Sequence, residues 1–312
     1  GLLFDHGCDS MSMGLQCLIM TRCLQGGNST PTIIANILAI SSFHFSTLEE
    51  YYCGGLYLGV GNGVTDGSVG IIGLFIYLGM FGNDWTTNTA FGVWTYADLF
   101  VYGILIANAT IIILCFKGIF VHSYKQKTIK EGEMNGETYT TSAFLLQVFG
   151  YFFSMGVIVG CIYQGEEGKR IIDNPVDKQT QHDIIFDVLL LACILMSHLT
   201  ICIQVNHVSA YEYSPWANRL NLFLIAGYAC VYCVASYNPK DAVATWSSAV
   251  HSLIIIALIA QWHFVLNVIA EMSDALGVRV FCVKDKVSLY FFMFNLFFYT
   301  LELLSSSILI NI

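Results

Sequence analysis

Long apolar runs alternate with short polar segments from one end of the chain to the other. Many of these runs approach the ~20 residues that an α-helix needs to cross the hydrocarbon core of a bilayer. The pattern therefore predicts an all-α fold, a polytopic transmembrane helical bundle with about nine membrane helices. Their approximate spans are 4–22, 31–47, 67–82, 92–120, 140–163, 184–206, 217–236, 243–270 and 287–310.

The composition agrees with a membrane protein. Of the 312 residues, 56% are hydrophobic and 11% are charged, and the mean hydropathy is +0.65. A soluble domain carries about 25% charged residues. The net charge of −9 is spread through the predicted loops, so no nucleic-acid partner is expected. Cys230 and Cys233 lie within an apolar helix, and we interpret them as lipid-facing or packing residues rather than as a redox or metal site.

The basic residues are divided unequally between the two ends of the predicted helices. We call side A the end at which residues 1–10 lie, and side B the opposite end. Eight of the 13 Lys and Arg residues fall at side A and five at side B. Because loops rich in Lys and Arg stay in the cytoplasm, side A is predicted to face the cytoplasm, or the matrix in a mitochondrial membrane. The basic residues at side A are Lys117, Lys125, Lys127, Lys130, Arg219, Arg279, Lys284 and Lys286.

Asp5 and Asp9 begin the first apolar run and lie four residues apart, so they share one face of a helix. Two carboxylates at this distance repel each other unless a cation lies between them or one is protonated. Oxygen ligands without cysteine suit Mg²⁺, Mn²⁺ or Ca²⁺. Gly1 and Gly7 leave room for a ligand to approach the backbone. The alternative is that the carboxylates stabilise the start of a helix, which suits Asp5 better than Asp9, one turn further on.

The stretch from Gly1 to Asp9 reads G-x3-D-x3-D, which is the second half of the motif D-x-x-D-G-x-x-A-R-x8-G-x3-D-x3-D. The chain thus resembles the CDP-alcohol phosphotransferase family, and LFDHGCDS is similar to the eukaryotic choline and ethanolamine phosphotransferases in particular. Residues 49–67 resemble the segment W-E-x-Y-x-T-G-x-L-x-L-P-x-x-N-G-P-x-E-G of that branch, with Leu48 and Asp66 in place of its Trp and Glu. Two later segments, VNHVSA and VFCVK, extend the similarity over roughly 1–286.

The resemblance implies an enzyme of phospholipid synthesis. In this family the motif aspartates hold a divalent metal, Mg²⁺ or Mn²⁺, that binds the pyrophosphate of a CDP-alcohol. The hydroxyl of diacylglycerol attacks the β-phosphorus and CMP leaves. By this resemblance Asp5 is a metal ligand, and Asp9 is a metal ligand or the general base. Substrate contacts are expected from Gly1, His6, His44, Asp66 and His207. For the last three, a polar residue satisfied at a helix end is the alternative.

Two features depart from the family. The half-motif D-x-x-D-G-x-x-A-R does not occur within the 312 residues, and an additional apolar helix, 287–312, follows the family-like region 1–286. Glu302 in that helix would lie in mid-membrane and is expected to pair with a neighbour.

Two interpretations follow from these departures. One is an active phosphotransferase of the endoplasmic reticulum or Golgi whose upstream residues precede Gly1, with membrane lipids, diacylglycerol and a CDP-alcohol as partners. The other is a catalytically inactive homologue, a structural accessory subunit of a multi-subunit membrane complex, for which the mitochondrial inner membrane is a candidate compartment. A channel or transporter is less favoured because the membrane acids cluster at one side rather than lining a path across.

Overall fold

The computed structural model describes residues 2–26, 29–54, 66–90, 92–130, 141–160, 178–209, 211–237 and 242–277. Two short 3₁₀ turns (Asp84–Thr87 and Pro215–Ala217) and a hairpin of β1 (Thr89–Ala90) and β2 (Trp94–Thr95) lie between helices. The hairpin is antiparallel and pairs Thr89 with Thr95. The eight α-helices within these ranges are α1 (Leu2–Cys23), α2 (Thr30–Cys53), α3 (Asp66–Phe81), α4 (Tyr96–Lys130), α5 (Thr141–Gly160), α6 (Lys178–Ser209), α7 (Arg219–Tyr237) and α8 (Ala242–Leu276).

Each of the first eight predicted helices coincides with one helix of the structure, which confirms the all-α membrane fold. Of the described helices, α2, α4, α5, α6 and α8 are long and apolar enough to cross a membrane. The helix α3 has 16 residues and, at 1.5 Å per residue, is shorter than a hydrocarbon core of about 30 Å. The count of nine membrane helices therefore stays a prediction. The ninth helix and the boundary at 286/287 lie outside the described residues.

Local capping interactions determine where two of the helices begin. Ser29 caps α2, accepting a hydrogen bond from the backbone N–H of Thr32 at 3.4 Å. The helix α4 begins at Tyr96 rather than at residue 92, because Thr95 and Asp98 form a reciprocal capping box. The Asp98 N–H donates to Thr95 Oγ1 at 3.1 Å, and the Thr95 N–H donates to Asp98 Oδ2 at 3.0 Å.

The helix α6 forms the centre of the packed region, in contact with α1, α2 and α5. Within the span Ile185–Ser209 of α6, 94% of an apolar 18-residue window is buried, whereas the corresponding window of α4, within Tyr96–Val121, is only 17% buried. A helix that is apolar on all sides is buried within a large protein or faces lipid. In this fold α6 is the buried helix, and α4 packs against α2 and leaves most of its apolar surface outside.

A glycine brings α1 close to α6. A Cβ atom added at Gly14 would lie 1.9 Å from Cys193 Sγ, so no larger residue fits there without displacing α6 or its side chain. This close approach places the amino-terminal turns of α1 beside the carboxyl-terminal half of α6. About one helical turn away, Ser197 Oγ donates to the Ser10 carbonyl at 3.0 Å and joins the same two helices.

The chain divides into two compact units, Gly1–Gln261 and Trp262–Ile312, with the boundary inside α8. The first unit contains every candidate site residue predicted from the sequence. The described part of the second unit is the remainder of α8 with Gly277, in which Asn267 Nδ2 lies 3.1 Å from His263 Nδ1.

Candidate functional site

The two predicted metal ligands lie at the amino-terminal end of α1, a helix that is not among the five apolar spans. Asp5 is in the first helical turn and is exposed, and Asp9 is half-buried one turn later. Partial burial raises the pKa of Asp9, the nearby Asp5 carboxylate raises it further, and His6 acts in the opposite direction. Within the described part of the chain, neither carboxylate forms an ion pair. Among the described residues the pair is thus a negative site without an ion-pair partner, exposed at Asp5 and partly exposed at Asp9.

This donor set fits a hard divalent cation in part. Mg²⁺ commonly binds through one or two protein carboxylates, with waters and substrate phosphates as its other ligands. Two accessible carboxylates on one helix face meet that requirement. No third His, Cys, Asp or Glu of the described ranges joins them in a group that could hold a metal ion by protein side chains alone. The metal assignment of Asp5 and Asp9 stays a prediction.

His6 lies between the two aspartates in sequence but turns into the protein. It is buried, and its Nδ1 atom lies 2.8 Å from Gln204 Nε2 and 3.5 Å from Glu50 Oε2. Gln204 Nε2 also donates to Glu50 Oε2 at 3.0 Å. The start of α1 and the ends of α2 and α6 therefore meet at one end of the first unit, which agrees with the assignment of these segments to side A.

Neither Glu50 nor Gln204 is among the site residues predicted from the sequence. Gln204 lies near the end of the mainly apolar span of α6, and a buried amide in such a span is a signal that it needs a hydrogen-bond partner. The partner itself could not be predicted, because Gln204 and His6 are nearly 200 residues apart in the chain.

His44 occupies a buried position in the middle of the packed helices. Its Nδ1 atom lies 3.0 Å from Thr200 Oγ1, and its ring stacks on Tyr151 with 4.2 Å between ring centroids. The Tyr151 hydroxyl donates in turn to Ser41 Oγ at 2.8 Å. Through these contacts His44 packs between α2, α5 and α6 and joins the three helices. Its contact with a substrate stays a prediction.

The last helical turn of α6 places His207 beside the end of α2. Its ring centroid lies 5.9 Å from that of Tyr51, and its Nδ1 atom is buried without a hydrogen-bond partner in the described chain. The Tyr51 hydroxyl donates to the Tyr211 carbonyl and accepts from the Tyr213 N–H, both at 3.2 Å, which closes the turn after α6. His207 is therefore on the same side as His6 and Glu50.

Two of the predicted site positions have no described side chain. Asp66 is the first residue of α3, and only its backbone belongs to the described structure. Gly1 and the segments 55–65 and 280–284 lie outside the described residues, as does Glu302. The predicted contacts of Gly1 and Asp66 with a substrate stay predictions.

The fold and this site define a polytopic helical membrane protein with a carboxylate pair at one end of its bundle. No family model matches the sequence. Among curated proteins, the chain is 32% identical over 126 residues to CDP-alcohol phosphatidyltransferase class-I family protein 2 of Dictyostelium discoideum, and 39% identical over 88 residues to protein 3 of the same family and organism. A third relative, from Schizosaccharomyces pombe, carries the same family description and is 37% identical over 75 residues.

These matches cover 40%, 28% and 24% of this chain and 29%, 22% and 19% of the three relatives. The chain thus spans less than a third of the length of the curated relatives it matches. The three agree in their family description, and this confirms the resemblance drawn from the motif. Over these segments the chain is similar to proteins of the CDP-alcohol phosphatidyltransferase class-I family.

Proposed function

We propose that this protein transfers a phospho-alcohol from a CDP-alcohol to diacylglycerol, as a choline/ethanolamine phosphotransferase-like enzyme of phospholipid synthesis. The observation that carries the proposal is the carboxylate pair at the start of α1. Asp5 is exposed, Asp9 is half-exposed one turn later, and no basic side chain of the described chain neutralises them. The family of the relatives supports the substrate class.

Asp5 and Asp9 would hold Mg²⁺ or Mn²⁺, whose remaining ligands come from water and the substrate pyrophosphate. When bound, the metal supplies positive charge to the transferring phosphoryl group. The lipid hydroxyl forms a bond to the β-phosphorus, the bond to CMP breaks, and Asp9 takes the hydroxyl proton. An active enzyme of this kind is expected in the endoplasmic reticulum or Golgi.

A second candidate is a catalytically inactive homologue that serves as a structural accessory subunit of a membrane complex. Two of the positions at which the chain departs from the family segment favour it. Leu48 replaces a Trp and is fully buried, and Asp66 replaces a Glu at the start of α3. This candidate predicts stable association with other membrane subunits and no transfer activity, in the mitochondrial inner membrane among other compartments.

The deciding experiment uses the full-length natural protein, with its amino-terminal peptides mapped to determine what precedes Gly1. Transfer from CDP-choline and CDP-ethanolamine to diacylglycerol is measured in lipid nanodiscs against Mg²⁺ and Mn²⁺ concentration. We expect Asp9→Asn to lower kcat by about 10²-fold or more, as loss of a general base does. Asp5→Asn is expected to raise the metal concentration for half-maximal rate by about tenfold or more.

The matched control is Asp84→Asn, which removes an exposed carboxylate from a 3₁₀ turn at the carboxyl-terminal end of α1, opposite the end that carries Asp5 and Asp9. It should leave the rate and the metal dependence unchanged. A folded parent protein that shows no transfer with either nucleotide at any metal concentration contradicts the enzymatic proposal and favours the accessory subunit. Equal effects of Asp84→Asn and Asp9→Asn contradict the assignment of the site.

A further inference from the structure

Three polar side chains from three helices meet inside the packed end of the first unit. His6 of α1, Glu50 of α2 and Gln204 of α6 are 9%, 7% and 1% exposed. Gln204 Nε2 is central, 2.8 Å from His6 Nδ1 and 3.0 Å from Glu50 Oε2. Polar groups removed from water in this way are expected to satisfy one another. The donor and acceptor at each contact can therefore be worked out.

The amide nitrogen of a glutamine carries two hydrogens and only donates. One hydrogen goes to the Glu50 carboxylate, which only accepts when ionised. The other hydrogen faces His6 Nδ1. Because two donors cannot face each other, Nδ1 must be the unprotonated ring nitrogen, and the ring proton lies on Nε2. The contact thus determines the tautomer of His6.

The orientation of the Gln204 amide is itself determined by its neighbours. Turning the amide by 180° would place Oε1 against the Glu50 carboxylate oxygen, and two acceptors in contact repel each other. In the orientation present, Gln204 Oε1 is buried without a hydrogen-bond partner. The side chain leaves its carbonyl unsatisfied and keeps both donors engaged, so the interaction with Glu50 and His6 is what orients it.

We propose that Gln204, oriented by Glu50, is a positioning residue that holds His6 as the Nε2–H tautomer. Nδ1 is occupied by the protein, and Nε2 has no partner in the described chain. The Nε2–H group of His6, the residue that follows Asp5, is therefore the remaining hydrogen-bond donor of the ring, for a phosphoryl oxygen or a carboxylate. This part of the inference rests on the proposed function. Glu50 and Gln204 thereby gain a role in aligning the donor.

The tautomer can be measured without any activity. The two ring nitrogens of histidine have different ¹⁵N chemical shifts when protonated and unprotonated, so the full-length protein is labelled with ¹⁵N-histidine and studied by NMR in nanodiscs. The His6 signals are assigned as those missing from His6→Asn. We expect a protonated Nε2 and an unprotonated Nδ1 in the parent, and a mixture of tautomers in Gln204→Leu. Gln204→Glu places an acceptor opposite Nδ1 and should move the proton to Nδ1.

The control is Gln147→Leu, which removes another buried glutamine that makes two hydrogen bonds, to Tyr52 and Tyr213, away from His6. It should leave the His6 signals unchanged. A parent with the proton on Nδ1 overturns the proposal, as does a tautomer unchanged in both Gln204 variants. Should Gln204→Leu fail to fold, Gln204→Glu, which keeps the size of the side chain and places a carboxyl group beside Glu50, decides the question.

Transfer kinetics provide the second readout. Gln204→Leu should lower kcat by about 10–100-fold, the effect typical of lost positioning around a reacting site, with little change in the KM for the CDP-alcohol. A parent without transfer activity contradicts the proposed function, yet the NMR spectra still test Gln204. An active parent whose kcat falls equally in Gln147→Leu and Gln204→Leu shows a merely structural effect and overturns the positioning role.

Discussion

Gly14→Ala tests the close approach of α1 and α6 that holds the candidate site together. The added Cβ would lie 1.9 Å from Cys193 Sγ, and ordinary contact begins near 3.4 Å, so the two atoms must separate by about 1.5 Å. Overpacking of this kind costs about 1–3 kcal/mol. The higher helix propensity of alanine relative to glycine offsets less than ~1 kcal/mol of this cost. We expect a net loss of stability and a melting temperature lower by roughly 2–8 °C.

The assay is thermal unfolding of the purified full-length protein in detergent micelles, followed by tryptophan fluorescence. The matched control is Gly156→Ala in α5, where a Cβ would meet nothing within 4 Å. This control should be neutral or slightly stabilising. A Gly14→Ala protein as stable as the Gly156→Ala protein would refute the packing argument.

A compensating change makes the same prediction sharper. Cys193→Ala removes the Sγ atom, after which the nearest atoms to the new Cβ are Cys193 Cβ at 3.3 Å and Ile40 Cγ1 at 3.7 Å. The double variant should therefore recover most of the stability lost in Gly14→Ala. Residues in contact typically couple by about 0.5–3 kcal/mol in such a cycle. Additive effects of the two substitutions would contradict a direct contact.

Two further predictions concern α4 and α2. Thr95→Ala removes the capping box of α4 and should cost about 1 kcal/mol in thermal unfolding, whereas Thr110→Ala, on the exposed side of the same helix, should change stability by less than about 0.5 kcal/mol. His44→Phe keeps a ring to stack on Tyr151 but loses the hydrogen bond to Thr200, so it should lower stability by about 0.5–1.5 kcal/mol. Its transfer rate should stay within about twofold of the parent; a loss beyond about tenfold in a stable protein would instead assign His44 a contact with substrate.

The positions of the helices could be predicted from the sequence because a helix that crosses a bilayer must be long and apolar, and both are local properties of the sequence. Eight predicted spans coincide with helices, and the boundaries differ where capping decides them. The helix α4 begins at Tyr96 because Asp98 and Thr95 satisfy each other's backbone groups, an effect that hydropathy does not register.

The Asp5–Asp9 pair was also predictable, since a four-residue spacing places two side chains on one face of any α-helix. His6 lies between them in sequence, and its identity as a candidate followed from that place. The contacts of His6 could not be predicted from the sequence. Gln204 and Glu50 reach His6 from two other helices, and only the packing of α1, α2 and α6 brings the three side chains together.

The sequence by itself determined that this is a helical membrane protein with a carboxylate pair at the start of its first apolar run. Only the tertiary structure decided which apolar helix is central. The spans of α4 and α6 have nearly the same mean hydropathy, yet the apolar window of α6 is almost entirely buried and that of α4 is mostly not buried. Lipid and protein interior are both apolar surroundings, so hydropathy cannot distinguish a helix that faces one from a helix enclosed by the other.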